Sequence, residues 1–168
     1  MKEGFVKVKI PKLVMDLIVD LYYLTRLVPV EIEKEENNKT KINLFNINKY
    51  PTLKSILLET TKSIHEDFSE ERLEAIDCYG IKSYWQGSSL GREILNPQEY
   101  LVGSIAKVDH DAKPWPLLFK NKNGEIEEVD LRIGEMIIFN SKNYLDKRAC
   151  PLEGLYSREL SFYYGRKK

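Results

Sequence analysis

Residues 79–97 read YGIKSYWQGSSLGREILNP, and three later stretches follow the same pattern: 104–119 SIAKVDHDAKPWPLLF, 132–154 RIGEMIIFNSKNYLDKRACPLEG and 160–165 LSFYYG. Each joins a short β-branched or aromatic run to a turn built from Gly, Pro, Asn or Asp. After Ser69 such runs recur at 76–85, 100–108, 115–119, 125–131, 135–139 and 159–164, the spacing of an all-β sandwich or barrel. Asn123-Gly124 separates two of them and predicts a two-residue hairpin, because both positions of such a turn favour positive φ. Arg132-Ile133-Gly134-Glu135 reads as a tight turn before another strand.

The chain before Ser69 has a different character. Phe5 to Ile10 alternates apolar and basic residues, the period of a half-buried strand. Pro11 suits the first position of a helix, where its missing N–H is no loss. Leu13, Val14, Leu17, Ile18, Leu21 and Leu24 then form one apolar stripe. Residues 31–41 are charged and Asn-rich and predict an exposed loop. Pro51 opens a second helix, with Leu53, Ile56, Leu57, Thr60 and Ile64 expected on the buried face. Two helices followed by many short strands predict helices packed on one face of a sandwich or barrel.

At 168 residues, the chain is long enough to bury roughly two-thirds of the surface its unfolded form exposes. Basic and acidic residues balance at 26 each, so no global field draws the chain to nucleic acid or anionic lipid. Arg166-Lys167-Lys168 reads as a solvated tail. No apolar run reaches membrane-spanning length, and Cys78 and Cys150 lack the spacing of a metal or redox pair. A cytoplasmic protein, with no nucleic-acid or membrane partner, is the expectation. Gly87-Ser88-Ser89 is no nucleophile elbow, and phosphate loops, zinc spacings and dinucleotide fingerprints are lacking. Cys150, next to Pro151, is expected to be buried and inert.

Taken together, the β segments resemble the core of the iron- and 2-oxoglutarate-dependent dioxygenases, in their small prolyl 4-hydroxylase-like branch. Tyr79-Gly80-Ile81 with Tyr84, and Gly87-Ser88-Ser89-Leu90 with Arg92, match the strand and turn leading to the first metal ligands. Val108-Asp109-His110-Asp111 and Pro114-Trp115-Pro116-Leu117 match the mid-barrel turn and strand. Gly134-Glu135-Met136 with Phe139, then Arg148, Pro151, Leu152 and Gly154, flank the place of the second histidine, and Phe162 with Tyr164 match the closing strand. The resemblance implies an α+β fold, a double-stranded β-helix (jelly roll) with two N-terminal helices packed on one face, and a single domain over 1–168.

That family holds Fe(II) with a His-x-Asp pair and a second His, leaving open positions for 2-oxoglutarate and oxygen. The matching places here read Glu93, Leu95 and Asp146. Leu95 has no lone pair to donate, and two carboxylates suit harder cations better than ferrous iron. The resemblance therefore implies a frame whose metal ligands are replaced, with neither iron nor 2-oxoglutarate expected as a cofactor. The family also anchors the distal cofactor carboxylate with a basic residue beyond the second His. The matching stretch contains Glu153 and Tyr156, and the candidates for carboxylate binding are Arg148, Arg158 and Tyr84. Which arginine faces inward depends on strand register. Trp85, Trp115 and Tyr156 are candidate pocket-lining residues.

Neither histidine stands at a ligand place. His65, beside Glu66 and Asp67, is expected to be solvated, and His110 to sit in a turn held by local hydrogen bonds. If Glu93 and Asp146 both face the former metal site, a cation must compensate them, and a Glu93–Asp146–Arg148 cluster is the expectation. The favoured reading is a pseudoenzyme that binds a protein or a small carboxylate through the old pocket or the surface. The alternatives are an active oxygenase with an atypical metal site, for which Fe(II) and 2-oxoglutarate would be cofactors, and a structural subunit of a larger assembly, such as one of phage origin.

Overall fold

Gly80 decides how the first β run is folded. A Cβ there would lie 1.9 Å from the carbonyl oxygen of Phe45, and its φ is +113°, so only glycine lets the two backbones touch. The run expected over 76–85 is therefore broken at this point into two strands. The computed structural model describes residues 4–24, 26, 30–33, 40, 42–89 and 99–168, with the side chains of Glu33 and Asp146 outside that set.

In chain order the elements are β1 (Phe5–Lys9), α1 (Lys12–Leu24), β2 (Glu31–Glu33), β3 (Ile42–Asn46), a 3-10 turn (Ile47–Lys49), α2 (Pro51–Ser69), β4 (Leu73–Asp77) and β5 (Gly80–Trp85). They continue with β6 (Val102–Ala112), β7 (Leu117–Lys120), β8 (Ile126–Val129), β9 (Glu135–Asn140), β10 (Tyr144–Arg148) and β11 (Gly154–Arg166). An eight-stranded sheet runs β1-β9-β6-β11-β5-β3-β2, with β4 also paired to β11; a three-stranded sheet runs β10-β7-β8. All pairings are antiparallel. The result is an α+β double-stranded β-helix with both helices on the outer face of the large sheet.

Strand alternation builds two cores. Ala106, Met136, Ile138, Leu160, Phe162 and Tyr164 face the helices and pack with Val14, Ile18, Leu21 and Leu57. Ile105, Ile137, Phe139 and Tyr163 face the small sheet and pack with Leu117, Phe119 and Tyr144. Each fully buried large side chain contributes about 1.5–3 kcal/mol, so both faces of the large sheet are anchored. Strand β6 carries one residue more than β11 at Val108: Lys107 pairs with Glu159, whereas Asp109 pairs with Arg158. This β-bulge matters for the site below.

Both helices are rotated from their expected stripes. Leu13 and Ile56 are exposed, and α2 buries Leu57, Leu58, Thr61, His65 and Phe68 instead. The sequence disguises this face because Thr61 and His65 look polar, yet each is satisfied internally. His65 Nδ1 donates to the Thr61 carbonyl at 2.7 Å, and Nε2 lies 2.7 Å from Ser104 Oγ. The solvated role expected for His65 is thus wrong: it is wholly buried against the Tyr164 ring, and burial lowers its pKa to about 4.

Three smaller expectations also give way. The Asn123-Gly124 turn is a five-residue connection, from Lys120 paired with Ile126, organised by Asn121 Oδ1, which accepts from the amides of Asn123 and Glu125. The segment expected as loop over 31–41 contributes the short edge strand β2, and its residues 34–39 and 41 lie outside the described set. Cys150 is exposed, because the chain turns there to offer its carbonyl to Trp115 Nε1 at 2.8 Å. Cys78 is the buried thiol, its pKa pushed up by burial to about 12. No helix among the described residues is long and apolar enough to cross a membrane.

Candidate functional site

Cross-strand register places two rows of polar residues on the barrel-facing side of the large sheet. One row is Tyr84, Ser157 and His110; the next is Lys82, Glu159 and Lys107. A basic residue within the apolar run of a central strand has to meet a carboxylate, and β11 supplies it. Lys107 Nζ lies 2.6 Å from Glu159 Oε1 and donates to Ser157 Oγ at 2.6 Å. Glu159 Oε2 is paired with Arg148 Nη2, from β10 of the facing sheet.

Arg148 closes the cluster. Its Nη1 donates to the Trp115 carbonyl at 3.3 Å, and its guanidinium carbon stands 4.1 Å from the centre of the Trp115 ring and 5.8 Å from that of Tyr84. Arg148 Nε has no hydrogen-bond partner among the described residues. Burial by itself raises the Glu159 carboxyl pKa; the charges of Arg148 and Lys107 outweigh it and hold the group at about 2. Arg148 is held above its ordinary value, burial opposing and the Glu159 charge prevailing. Glu159 and Arg148 are therefore both charged at neutral pH, in a space from which water is almost excluded.

The other face of the same strands carries Arg158. Its Nε donates to Ser83 Oγ at 3.1 Å and its Nη1 to Asp109 Oδ2 at 3.3 Å, with the Tyr156 ring 4.0 Å from the guanidinium carbon. Asp109 Oδ2 also accepts from Tyr22 at 3.2 Å and from Tyr156 at 3.0 Å. Trp85, on the same face, donates its indole N–H to Asn43 Oδ1 at 2.6 Å.

The sequence candidates are therefore divided between two places. Arg148, Tyr84 and Trp115 meet inside the barrel, while Arg158, Trp85 and Tyr156 meet on the helix side. Glu93 and Leu95 lie outside the described residues, as does the side chain of Asp146, so the expected Glu93–Asp146–Arg148 cluster is not described. The partner that Arg148 has is Glu159, which sequence reasoning passed over. Lys107 inside the run SIAKV was the available signal, since a buried lysine calls for a nearby acid. His110 is in strand β6 rather than a turn; its register turns it towards the barrel, and its Nδ1 donates to the Ala112 carbonyl at 3.3 Å.

No family model and no curated protein sequence matches the chain. Solved structures do. An oxidoreductase of the 2OG-Fe(II) oxygenase family from Burkholderia pseudomallei superposes with a TM-score of 0.77 at 13% identity, covering 98% of this chain and 86% of that one. A Pseudomonas putida prolyl-4-hydroxylase gives a TM-score of 0.66 at 13% identity, over 99% and 94%. HygX from Streptomyces hygroscopicus, solved with nickel, 2-oxoglutarate and hygromycin B bound, gives 0.69 at 10% identity, over 98% and 84%. The fold is that of the 2OG-Fe(II) oxygenases.

The oxygenase fold implies iron and 2-oxoglutarate, and the places matched to the metal ligands, Glu93, Leu95 and the Asp146 side chain, lie outside the described residues. No group of three His, Cys, Asp or Glu side chains comes together among the described residues. His65, on α2, packs against the outer face of the large sheet with both ring nitrogens engaged. In the barrel, Arg148 and Lys107, which could take a cofactor carboxylate, already share the carboxylate of Glu159.

Proposed function

We propose that this protein is a pseudoenzyme of the 2OG-Fe(II) oxygenase fold, a binding protein that uses the barrel or its surface without oxygen chemistry. The observation that carries the reading is the Arg148–Glu159–Lys107 cluster: the chain supplies its own acid to the cations that could hold a cofactor acid. The sequence resemblance, which sets Glu93, Leu95 and Asp146 at the three ligand places, supports the same view, since Leu95 cannot bind a metal. On this reading the protein needs neither Fe(II) nor 2-oxoglutarate. Its partner is a protein or a small carboxylate, not nucleic acid or membrane. Two free cysteines suit the reducing cytoplasm.

The test is succinate release from 2-oxoglutarate under air with added Fe(II). Succinate no higher than the background of iron in buffer is expected, and protein-dependent turnover overturns the proposal. One observation favours the second reading, an active oxygenase with an atypical site: His110 faces the barrel beside Ser157. Loss of any such turnover in His110→Ala would establish that reading.

A further inference from the structure

A cavity of about 240 Å³ lies on the helix side of the large sheet, outside the barrel. Phe45 and Ile81 line it with apolar surface, Tyr22 and Trp85 with aromatic surface, and Arg26 and Arg158 with charge. We propose that this cavity is a binding site for a small, flat monocarboxylate, such as an aromatic acid, received by Arg158 and Arg26. It stands apart from the barrel cluster, so it holds whether or not the barrel is catalytic.

Charge is the first argument. The Tyr22 ring has the Arg26 guanidinium carbon 5.3 Å and the Arg158 guanidinium carbon 5.5 Å from its centre, so two cations border one phenol. Among the described residues, the carboxylate beside them is Asp109, which is ion-paired with Arg158 and whose Oδ2 already takes Tyr22, Tyr156 and Arg158 Nη1. Two arginines against one aspartate leave a single positive charge, which selects a monoanion over phosphate or a dicarboxylate.

Preorganisation is the second. Ser83, Asp109 and Tyr156 fix Arg158 on three sides, and its side chain is only 19% exposed. Its Nη2 has no protein partner among the described residues, which leaves an N–H donor fork on a residue that lines the cavity. A guanidinium held in this way loses little freedom when it accepts a carboxylate. Shape is the third argument. The cavity is smaller than the roughly 300–1,000 Å³ of drug-sized sites. Its aromatic walls suit a flat body, and the hydrogen bond to Asn43 fixes the Trp85 indole.

The experiment is a titration of the full chain with sodium benzoate, followed in 1H–15N spectra by the two indole N–H signals. Expected is a saturable movement of the Trp85 signal while that of Trp115, inside the barrel, stays in place. Benzamide and succinate should move Trp85 far less. Arg158→Leu should weaken benzoate about tenfold or more, as loss of a charged hydrogen bond does. Its unchanged Trp115 signal would show that the fold persists. Should that variant unfold, Arg26→Ala, at an exposed position, decides in its place, with several-fold weakening expected. Absence of saturation, an equal response to benzamide, or undiminished binding in the deciding variant overturns the proposal.

Discussion

Lys107 Nζ on β6 lies 2.6 Å from Glu159 Oε1 on β11, with only 4% of either side chain exposed to solvent. Two ions taken so far from water are tolerated because the attraction is close and Arg148 and Ser157 satisfy what remains. Removing one partner strands the others.

Glu159→Gln keeps the shape and deletes the charge. It should lower the unfolding free energy by about 3–5 kcal/mol, the cost of breaking a buried ion pair. Urea unfolding measures this directly, and a loss below about 1 kcal/mol would mean that the cluster is hydrated in solution.

Acid should weaken the fold in two successive windows. His65 has a folded pKa of about 4 against an ordinary 6.5, so the unfolded chain binds its proton first, and stability present above pH 6.5 is lost as pH falls towards 4. Glu159 has a folded pKa of about 2 against 4.5, so its contribution is complete above pH 4.5 and is lost as pH falls towards 2. Glu159→Gln should abolish the second slope and leave the first. Imidazole 15N shifts should show His65 neutral at pH 6, with the proton on Nδ1, since the Thr61 carbonyl can only accept.

Gly80→Ala should destabilise the protein by at least the 1–3 kcal/mol typical of a strained backbone position, about 3 kcal/mol or more in sum, because the new methyl meets the Phe45 carbonyl. Thermal unfolding monitors it. Gly124→Ala, at a φ of +83° with nothing within 4 Å, should cost only the conformational part, about 1 kcal/mol.

Mn(II) and 2-oxoglutarate together should leave the melting temperature unchanged. A specific site filled at a hundred times its Kd would contribute about 2.7 kcal/mol, a shift of several degrees that calorimetry detects easily.

Helices packed on a β-sandwich or barrel were legible in the sequence because its β-branched and aromatic runs are joined by turns carrying Gly, Pro and Asn, and the family resemblance narrowed this to the jelly roll. The division at Gly80 was not, because nothing local announces that another strand's backbone will press on that α-carbon. The buried face of α2 was misread for a related reason: the partners that make His65 acceptable inside, Ser104 and Tyr164, are far away in the chain. The positions of Arg148 and Trp115 relative to Tyr84 depend on two sheets meeting face to face, which periodicity cannot report. Arg158 lies on the opposite side of its sheet from Glu159 by plain alternation along β11, whereas a count of alternate residues along β6 fails at Val108 and misplaces Asp109 and His110.

That unpaired valine has a wider consequence. Before it, odd-numbered residues of β6 look into the barrel; after it, even-numbered ones do. A regular strand would swing Asp109 inward, adding a second acid beside Glu159, and turn His110 out against the helices. One extra peptide unit thus sorts a carboxylate and an imidazole into separate chambers.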